Sequence, residues 1–448
     1  MSEWKKVKIG DFLTEREGRY KPNDKEISKY QRLDKIDFSG NIHISDKPTK
    51  TDMIIVFPGD LIISGINVAK GAISVYQGKE PVCATIHYSS YTFDDKKVDL
   101  DYFKYFVKSP AFIFALQQQV KGGIKTEIKP KHLLPLEISL PDLSTQKDIV
   151  KVLSKKIEKV ELIKSEIESQ KAYAKQLRQN ILQEAIEGKL TEEWRKENPV
   201  IKGNPDFDAE ALFEKIQEEK CHTDSELLRN SKKKVFESIS ENEQPFEIPE
   251  GWKWVKLEHL AEVGTGATPL TSEKKYYENG TIPWITSSST GNDFVSKADV
   301  FITEIALKET NCSLNPKGTL VVAMYGQGKT RGQITELCIE AATNQACATI
   351  RIFEKDNVVL KKYIKFVFKK MYEEIRSLAQ GGTQPNLNLG KIANTIFPLP
   401  PLAEQKEIVS RVEKLLANVT ELEKQITERE EMTKQLMQSI MKDAFREV

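Results

Sequence analysis

The 448-residue chain sets 67 Lys+Arg against 66 Asp+Glu, a formal net charge of +1, with 39% apolar and 30% charged residues. That length predicts two to four domains, and the apolar share excludes wholesale disorder. The longest apolar runs, residues 53–57 and 319–324, fall far short of the ~20 residues of a membrane helix.

Taken in chain order, residues 1–140 show short alternating runs broken by Gly, Pro, Asn and Asp, such as Leu61-Ile62-Ile63-Ser64 between Gly59 and Gly65. These predict strands, joined by a shorter helix over 101–107. From 144 to about 187 the pattern changes. Leu153, Val160, Ile167, Ala174 and Ile181 recur every seven residues, with Ile157, Ile163 and Leu177 between them. Heptads of this length predict a coiled-coil helix of ~44 residues, roughly 65 Å long, with Pro141 just ahead of its start. Residues 191–246 form an acidic connector. Residues 247–399 return to strand-like runs, such as Ile282-Pro283-Trp284-Ile285, with a helix over 361–378. A second heptad series, Val412, Val419, Ile426, Thr433 and Ile440, fills 400–448.

The chain repeats itself. Residues 140–150 (LPDLSTQKDIV) return as 399–409 (LPPLAEQKEIV), a shift of 259, and the same shift pairs Lys175-Gln176-Leu177 with Lys434-Gln435-Leu436 and Gly122-Gly123 with Gly381-Gly382. Fainter echoes pair Trp4-Lys5-Lys6-Val7 with Trp252-Lys253-Trp254-Val255, and Cys83-Ala84-Thr85-Ile86 with Cys347-Ala348-Thr349-Ile350. The connector has no second copy. The resulting expectation is an α+β chain with a pseudo-twofold internal repeat: a globular region over 1–140, a helix over 141–190, the connector over 191–246, a second globular region over 247–399 and a second helix over 400–448. Two similar coiled-coil helices predict an antiparallel pair holding one mixed α/β domain at each end.

Charge is sorted along the chain: +4 for 1–140, +2 for 141–190, −5 for 191–246, +2 for 247–399 and −2 for 400–448. Within the mildly basic globular regions, four Gly-punctuated loops combine amide and basic side chains, at 67–71, 121–129, 325–331 and 380–386. Arg and Lys can bond guanine, Asn and Gln adenine, Ser either base or phosphate, and Gly lets the backbone approach a partner. The candidate DNA contacts are Asn67, Lys70, Lys125, Ser288, Gln327, Lys329, Arg331, Gln384 and Asn386.

Signals of chemistry are weak. Residues 323–330 (AMYGQGKT) fit a relaxed phosphate loop, but a strand-like stretch follows where such a loop opens a helix. Asn204-Pro205-Asp206-Phe207 is similar to an amino-methyltransferase signature, yet has Asp at its third position and no cofactor loop. Five scattered histidines and five cysteines (Cys83, Cys221, Cys312, Cys338, Cys347) without a C-x-x-C pair predict reduced thiols and no metal site. No catalytic constellation is expected in the chain.

Several stretches resemble the DNA-specificity subunits of type I restriction–modification systems. Residues 397–405 (FPLPPLAEQ) look like that family's boundary between a target recognition domain and a conserved helix, and Ile248-Pro249-Glu250-Gly251-Trp252 like the opening of such a domain. Gly266-Ala267-Thr268-Pro269 and Ile282-Pro283-Trp284-Ile285 resemble the motifs that follow, and Gly188-Lys189-Leu190-Thr191 the end of the first helix. The first half departs from the pattern, with no Pro-Glu-Gly before Trp4 and a shorter motif at 140–146.

The resemblance implies two target recognition domains, each reading half of a bipartite site in double-stranded DNA, with the helices as a spacer ruler. It implies docking of two methyltransferase subunits and recruitment of restriction/translocase subunits in defence against foreign DNA. S-adenosylmethionine, ATP and Mg are expected on those partners, with no cofactor on this chain, no membrane and a cytoplasmic location. Two rival readings are a coiled-coil protein–protein adaptor without DNA readout and a self-contained nuclease or methyltransferase. The second has only the connector to house a catalytic domain.

Overall fold

The computed structural model describes residues 4–45, 49–66, 72–119, 129–225, 239–326, 330–354, 357–380 and 387–446. They form two compact units, one of residues 1–170 with 425–448 and one of residues 171–424.

In the first unit, strands β1 (Lys5–Lys8), β2 (Leu13–Glu15), β3 (Arg32–Ile36), β4 (Ile42–Ser45), β5 (Met53–Val56), β6 (Leu61–Ser64), β7 (Ile73–Val75), β8 (Val82–Thr85) and β9 (Tyr88–Phe93) are followed by helices α1 (Leu100–Phe106), α2 (Pro110–Gln119) and α3 (Pro130–Leu133). Strand β10 (Glu137–Leu140) then leads into the long helix α4 (Leu143–Ile186). Two four-stranded sheets run in the orders β2-β9-β6-β7 and β4-β3-β8-β5, and β1 pairs with β10 in a separate antiparallel ribbon. Asp99 caps α1 by accepting from the Tyr102 amide at 2.9 Å. The core gathers Phe12, Tyr91, Tyr102, Phe103, Phe106 and Phe112 against Leu153 of α4 and, from the last residues described, Met441 and Phe445. Phe445 meets Tyr102 and Phe106 edge-on, at ring separations of 5.3 and 5.5 Å.

The second unit holds the end of α4, then α5 (Glu192–Glu197) and α6 (Ala209–Ser225) from the acidic segment. Its domain runs from β11 (Lys253–Lys256) through α7 (Leu257–Leu260), β12 (Ala261–Thr265), β13 (Ile282–Ile285), β14 (Phe294–Val295), β15 (Val300–Ile302), α8 (Glu304–Glu309), β16 (Leu314–Asn315), β17 (Leu320–Ala323), β18 (Ile334–Leu337), β19 (Ala341–Thr343) and β20 (Cys347–Ile352) to α9 (Val358–Gln380), α10 (Leu389–Ala393) and β21 (Ile396–Leu399), which opens helix α11 (Leu402–Ala444). The sheets are ordered β12-β20-β17-β18-β14 and β15-β13-β19-β16, with β11 and β21 as the ribbon.

Strand by strand these orders reproduce the first unit, with β14 added. The ribbons share a register, Lys5 opposite Leu140 and Lys253 opposite Leu399. In each unit one four-stranded sheet has a parallel inner pair, β3 with β8 and β13 with β19. The fold therefore corrects one sequence echo. Cys83–Thr85 lie in β8, whose counterpart is β19, whereas Cys347–Thr349 lie in β20, the counterpart of β9. Small residues suit both buried strands, so the likeness is one of environment and not of position.

The heptad series is the buried stripe of both long helices. Leu153, Val160, Ile167, Ala174 and Ile181 are buried on α4, as are Val412, Val419, Ile426 and Thr433 on α11. Within the first unit, Gln170 accepts from Arg429 at 2.8 Å while Leu153 shares a core with Met441. Within the second, Arg178 donates to Glu423 at 2.9 Å while Ile186 packs in the core with Ile408 and Val412. Ascending residues of α4 meet descending residues of α11, so the pair is antiparallel. Leu177, expected at an intermediate seam position, is instead exposed, because the seam is a narrow one.

The acidic segment is built into the second unit. Leu212 and Ile216 of α6 are fully buried in its core, and the amides of Leu402 and Ala403, at the start of α11, donate to the carbonyls of Pro205 and Asp206. The segment therefore satisfies two of the four orphan N–H groups of a long helix.

Candidate nucleic-acid interface

In the second unit the hairpin β17–β18 is antiparallel, Leu320 opposite Glu336. A strand, not a helix, follows the glycine-rich turn. The turn therefore lacks the helix N-terminus that a phosphate loop requires. Its far side is pinned by Gly332, whose φ of +83° favours glycine and whose amide donates to the Ala323 carbonyl at 2.8 Å. Arg331 is half-buried beside it.

A short 3-10 turn, Ser287–Gly291, packs against this hairpin. Buried Thr290 holds the two together, donating to the Ser287 carbonyl at 2.7 Å with its hydroxyl 3.3 Å from the Gln333 side-chain carbonyl. The Ser288 hydroxyl is exposed and shares a 2.7 Å hydrogen bond with Thr286. The fold thus joins the turns carrying Ser288 and Arg331. The other candidate contacts, Asn67, Lys70, Lys125, Gln327, Lys329, Gln384 and Asn386, lie outside the described residues. Their loops nevertheless connect equivalent elements: β6 to β7 and β17 to β18 for one pair, α2 to α3 and α9 to α10 for the other.

Not every lysine near these loops is available to a partner. On α9, Lys361 pairs with Glu336 at 2.7 Å, Lys362 with Glu413 at 2.6 Å and Lys369 with Asp293 at 2.6 Å. Lys365 donates to the Asp293 carbonyl and lies 4.0 Å from the centre of the Phe294 ring. Burial pushes its ammonium below the usual lysine range. Burial also raises the Asp293 carboxyl, but the hydrogen bond from Lys369 and the nearby cationic charges overcome this and leave it below its ordinary value.

In the first unit an open groove of about 650 Å3 lies beside Gly65 and Ile66, just before the first loop. Arg16, Arg19, His87 and Lys129 contribute to its lining. The Arg16 guanidinium is held by buried Asp60, with bonds of 2.9 to 3.1 Å, and stacks 4.5 Å from the Phe57 ring centre. Arg16 and Arg19 precede the first Gly-rich loop by some fifty residues, and only the pairing of β2 with β9 and β9 with β6 brings them beside it.

A third cluster escaped the sequence reading although each of its segments was noticed. Glu404, on the first turn of α11 and 2% exposed, accepts from Thr191 at 2.6 Å, Arg195 at 2.5 Å and the Trp252 indole at 2.7 Å. Gly188, at φ +74°, ends α4 where a Cβ would lie 2.7 Å from Pro249 and 3.1 Å from Trp252. The three motif stretches at 188–191, 248–252 and 397–405 thus meet, with Arg195 just beyond the first of them, at one buried carboxylate.

Two copies of a two-sheet domain, each rooted by a ribbon on a long helix, define an internally duplicated α+β protein. The chain belongs to the family described as the type I restriction modification DNA specificity domain, whose model matches residues 1–170 and 249–431. It is 32% identical over 171 residues to the specificity subunit of the type I restriction enzyme MjaIX of Methanocaldococcus jannaschii, covering 36% of this chain and 37% of that one. It is 26% identical over 329 residues to the EcoDI specificity subunit of Escherichia coli, covering 73% of this chain and 65% of the relative. The match thus spans less than two thirds of the length of either relative. A solved chain from a study of complex assembly and conformational transition of the type I R-M system has the same fold, at a TM-score of 0.62 and 15% identity over 99% of this chain and 98% of that one.

Proposed function

We propose that this chain is the non-catalytic, sequence-reading subunit of a type I restriction–modification assembly. Each domain reads one half of a bipartite site in double-stranded DNA, and the paired helices set the spacer. The observation that carries this reading is the duplicated topology, which puts the Gly-rich amide- and lysine-bearing loops on equivalent connections in both domains. Because those loops differ in sequence, the two half-sites differ too. The pseudo-twofold repeat suits one methyltransferase subunit per half, with restriction/translocase subunits joining the larger assembly. S-adenosylmethionine, ATP and Mg belong to those partners, and this chain binds none of them. No described helix is long and apolar enough to cross a membrane. The proposed function places the subunit in the cytoplasm with the DNA it reads.

The test is to co-express the chain with its methyltransferase subunits and map methylated bases genome-wide. One bipartite motif with two unlike halves and a fixed gap is expected. Methylation or cleavage of DNA by the purified chain alone would refute the assignment.

A further inference from the structure

Glu404 is an expensive residue to bury unless its carboxylate is fully engaged. It is engaged by three donors from three places: Thr191 and Arg195 beyond the end of α4, and Trp252 at the foot of β11. Arg195 also lies 5.9 Å from the Trp252 ring centre. Strand β11 pairs along its length with β21, which runs through Pro400 and Pro401 straight into α11. The cluster therefore ties the root of the second domain to the first turn of one long helix and to the segment just beyond the end of the other. Tight backbone fits complete the joint. A Cβ on Gly251 would lie 2.6 Å from Val200, and the Ala209 amide donates to the Gly251 carbonyl at 2.9 Å.

Among its described residues the first unit lacks this arrangement. At the shift of 259 the counterpart of Glu404 is Thr145, whose hydroxyl bonds Asp142 at 3.2 Å, while Trp4, which precedes Lys5 of its ribbon as Trp252 precedes Lys253, is only half-buried. What both units keep is the next residue. Gln146 donates to the Pro141 carbonyl at 2.7 Å, and Gln405 to that of Pro400 at 2.8 Å. The glutamine bond therefore suffices to start the helix, and the carboxylate does something further.

We infer that Glu404 is a positioning residue. With Thr191, Arg195 and Trp252 it fixes the angle at which the second domain stands on the helices, and so restricts the spacing at which the second half-site is read. This rests on the DNA-reading function proposed above. One base pair of added spacing turns a half-site by roughly 35° about the duplex, so a rigid joint discriminates against it and a loosened joint does not.

The test uses the full chain co-expressed with its methyltransferase subunits, comparing wild type with Glu404→Gln, Arg195→Met and the milder Trp252→Phe, which keeps the ring and removes the donor. Methylated motifs and spacer lengths are mapped in each. The expected result is about a tenfold rise, relative to wild type, in methylation at motifs whose spacer is one base pair longer or shorter, with both half-site sequences unchanged. If the first two variants give no methylation, Trp252→Phe alone decides. Unchanged spacing, with total methylation falling only in step with melting temperature, would make the cluster merely structural and overturn the inference, as would relaxed half-site sequence at fixed spacing or silence from all three variants. A wild-type chain giving no bipartite motif would instead sink the functional reading and this inference together.

Discussion

Arg331 and Ser288 sit on adjoining turns in one domain, so under the proposed function their effects on recognition are expected at one half-site. Arg331→Ala is expected to weaken or relax recognition at that half by ~1–3 kcal/mol if the guanidinium contacts a base, leaving the other half unchanged. Competition binding of the assembly to DNAs altered in one half at a time measures this, and equal loss on specific and random DNA would show a phosphate contact instead. A second residue-scale prediction concerns His259, buried against Phe213 at a ring separation of 5.9 Å. Burial lowers its pKa, and lysines 220, 256 and 253 add to the effect against the opposing charge of Glu258. The folded state therefore binds its proton less readily than the unfolded chain. Stability from this site is complete above the unfolded value near 6.5 and falls as pH drops through it toward the lower folded value. Melting temperatures measured between pH 7.5 and 5 should fall less steeply for His259→Gln than for wild type. The sequence singled out Ser288 and Arg331 separately, and only the fold shows that their turns adjoin; the other seven candidates lie outside the described residues. The use of charge was not legible in it. Lys361, Lys365 and Lys369 look like a basic stripe in the sequence, and only the placement of Asp293 and Glu336 shows them paired within the domain.

At the scale of elements, the long helices were the most readable feature, because a seven-residue recurrence without Gly or Pro has few other solutions. Their bounds, Leu143–Ile186 and Leu402–Ala444, fall within a few residues of the expected ends. Short strands were less readable, and the Cys-Ala-Thr-Ile echo misled because small buried residues satisfy β8 and β20 alike. The acidic segment was opaque for another reason. Nothing in its composition reveals that Leu212 and Ile216 are core residues, since their partners are remote in sequence. The helical seam yields a paired prediction. Ile167→Ala removes a buried seam side chain and should cost about 2–4 kcal/mol, whereas Leu177→Ala, on the exposed face, should stay within ~0.5 kcal/mol in the isolated chain. Urea melts of both variants check the contrast, and equal costs would mean that the seam is misplaced.

For the whole molecule, a balance of 67 basic and 66 acidic side chains describes no single surface. The acidic segment is folded into the second unit, and much of the positive charge of α9 is spent on internal partners. In the first unit, the groove beside Gly65 and Ile66 is lined in part by Arg16, Arg19 and Lys129. Phosphate contacts govern how affinity depends on salt, at a slope of about −0.9 in log K per log salt for each phosphate neutralised on B-DNA. With a net charge of only +1, the chain alone should bind duplex DNA weakly and with a shallow slope. Adding methyltransferase subunits should steepen the slope by the number of phosphates they neutralise, while the preferred sequence stays as the two domains set it. Titrations of one specific and one random duplex between 50 and 200 mM salt, with and without the partner subunits, separate these contributions. A chain that alone showed the full slope of the assembly would place the phosphate grip on this subunit, and its near-neutral net charge would then conceal a cationic face.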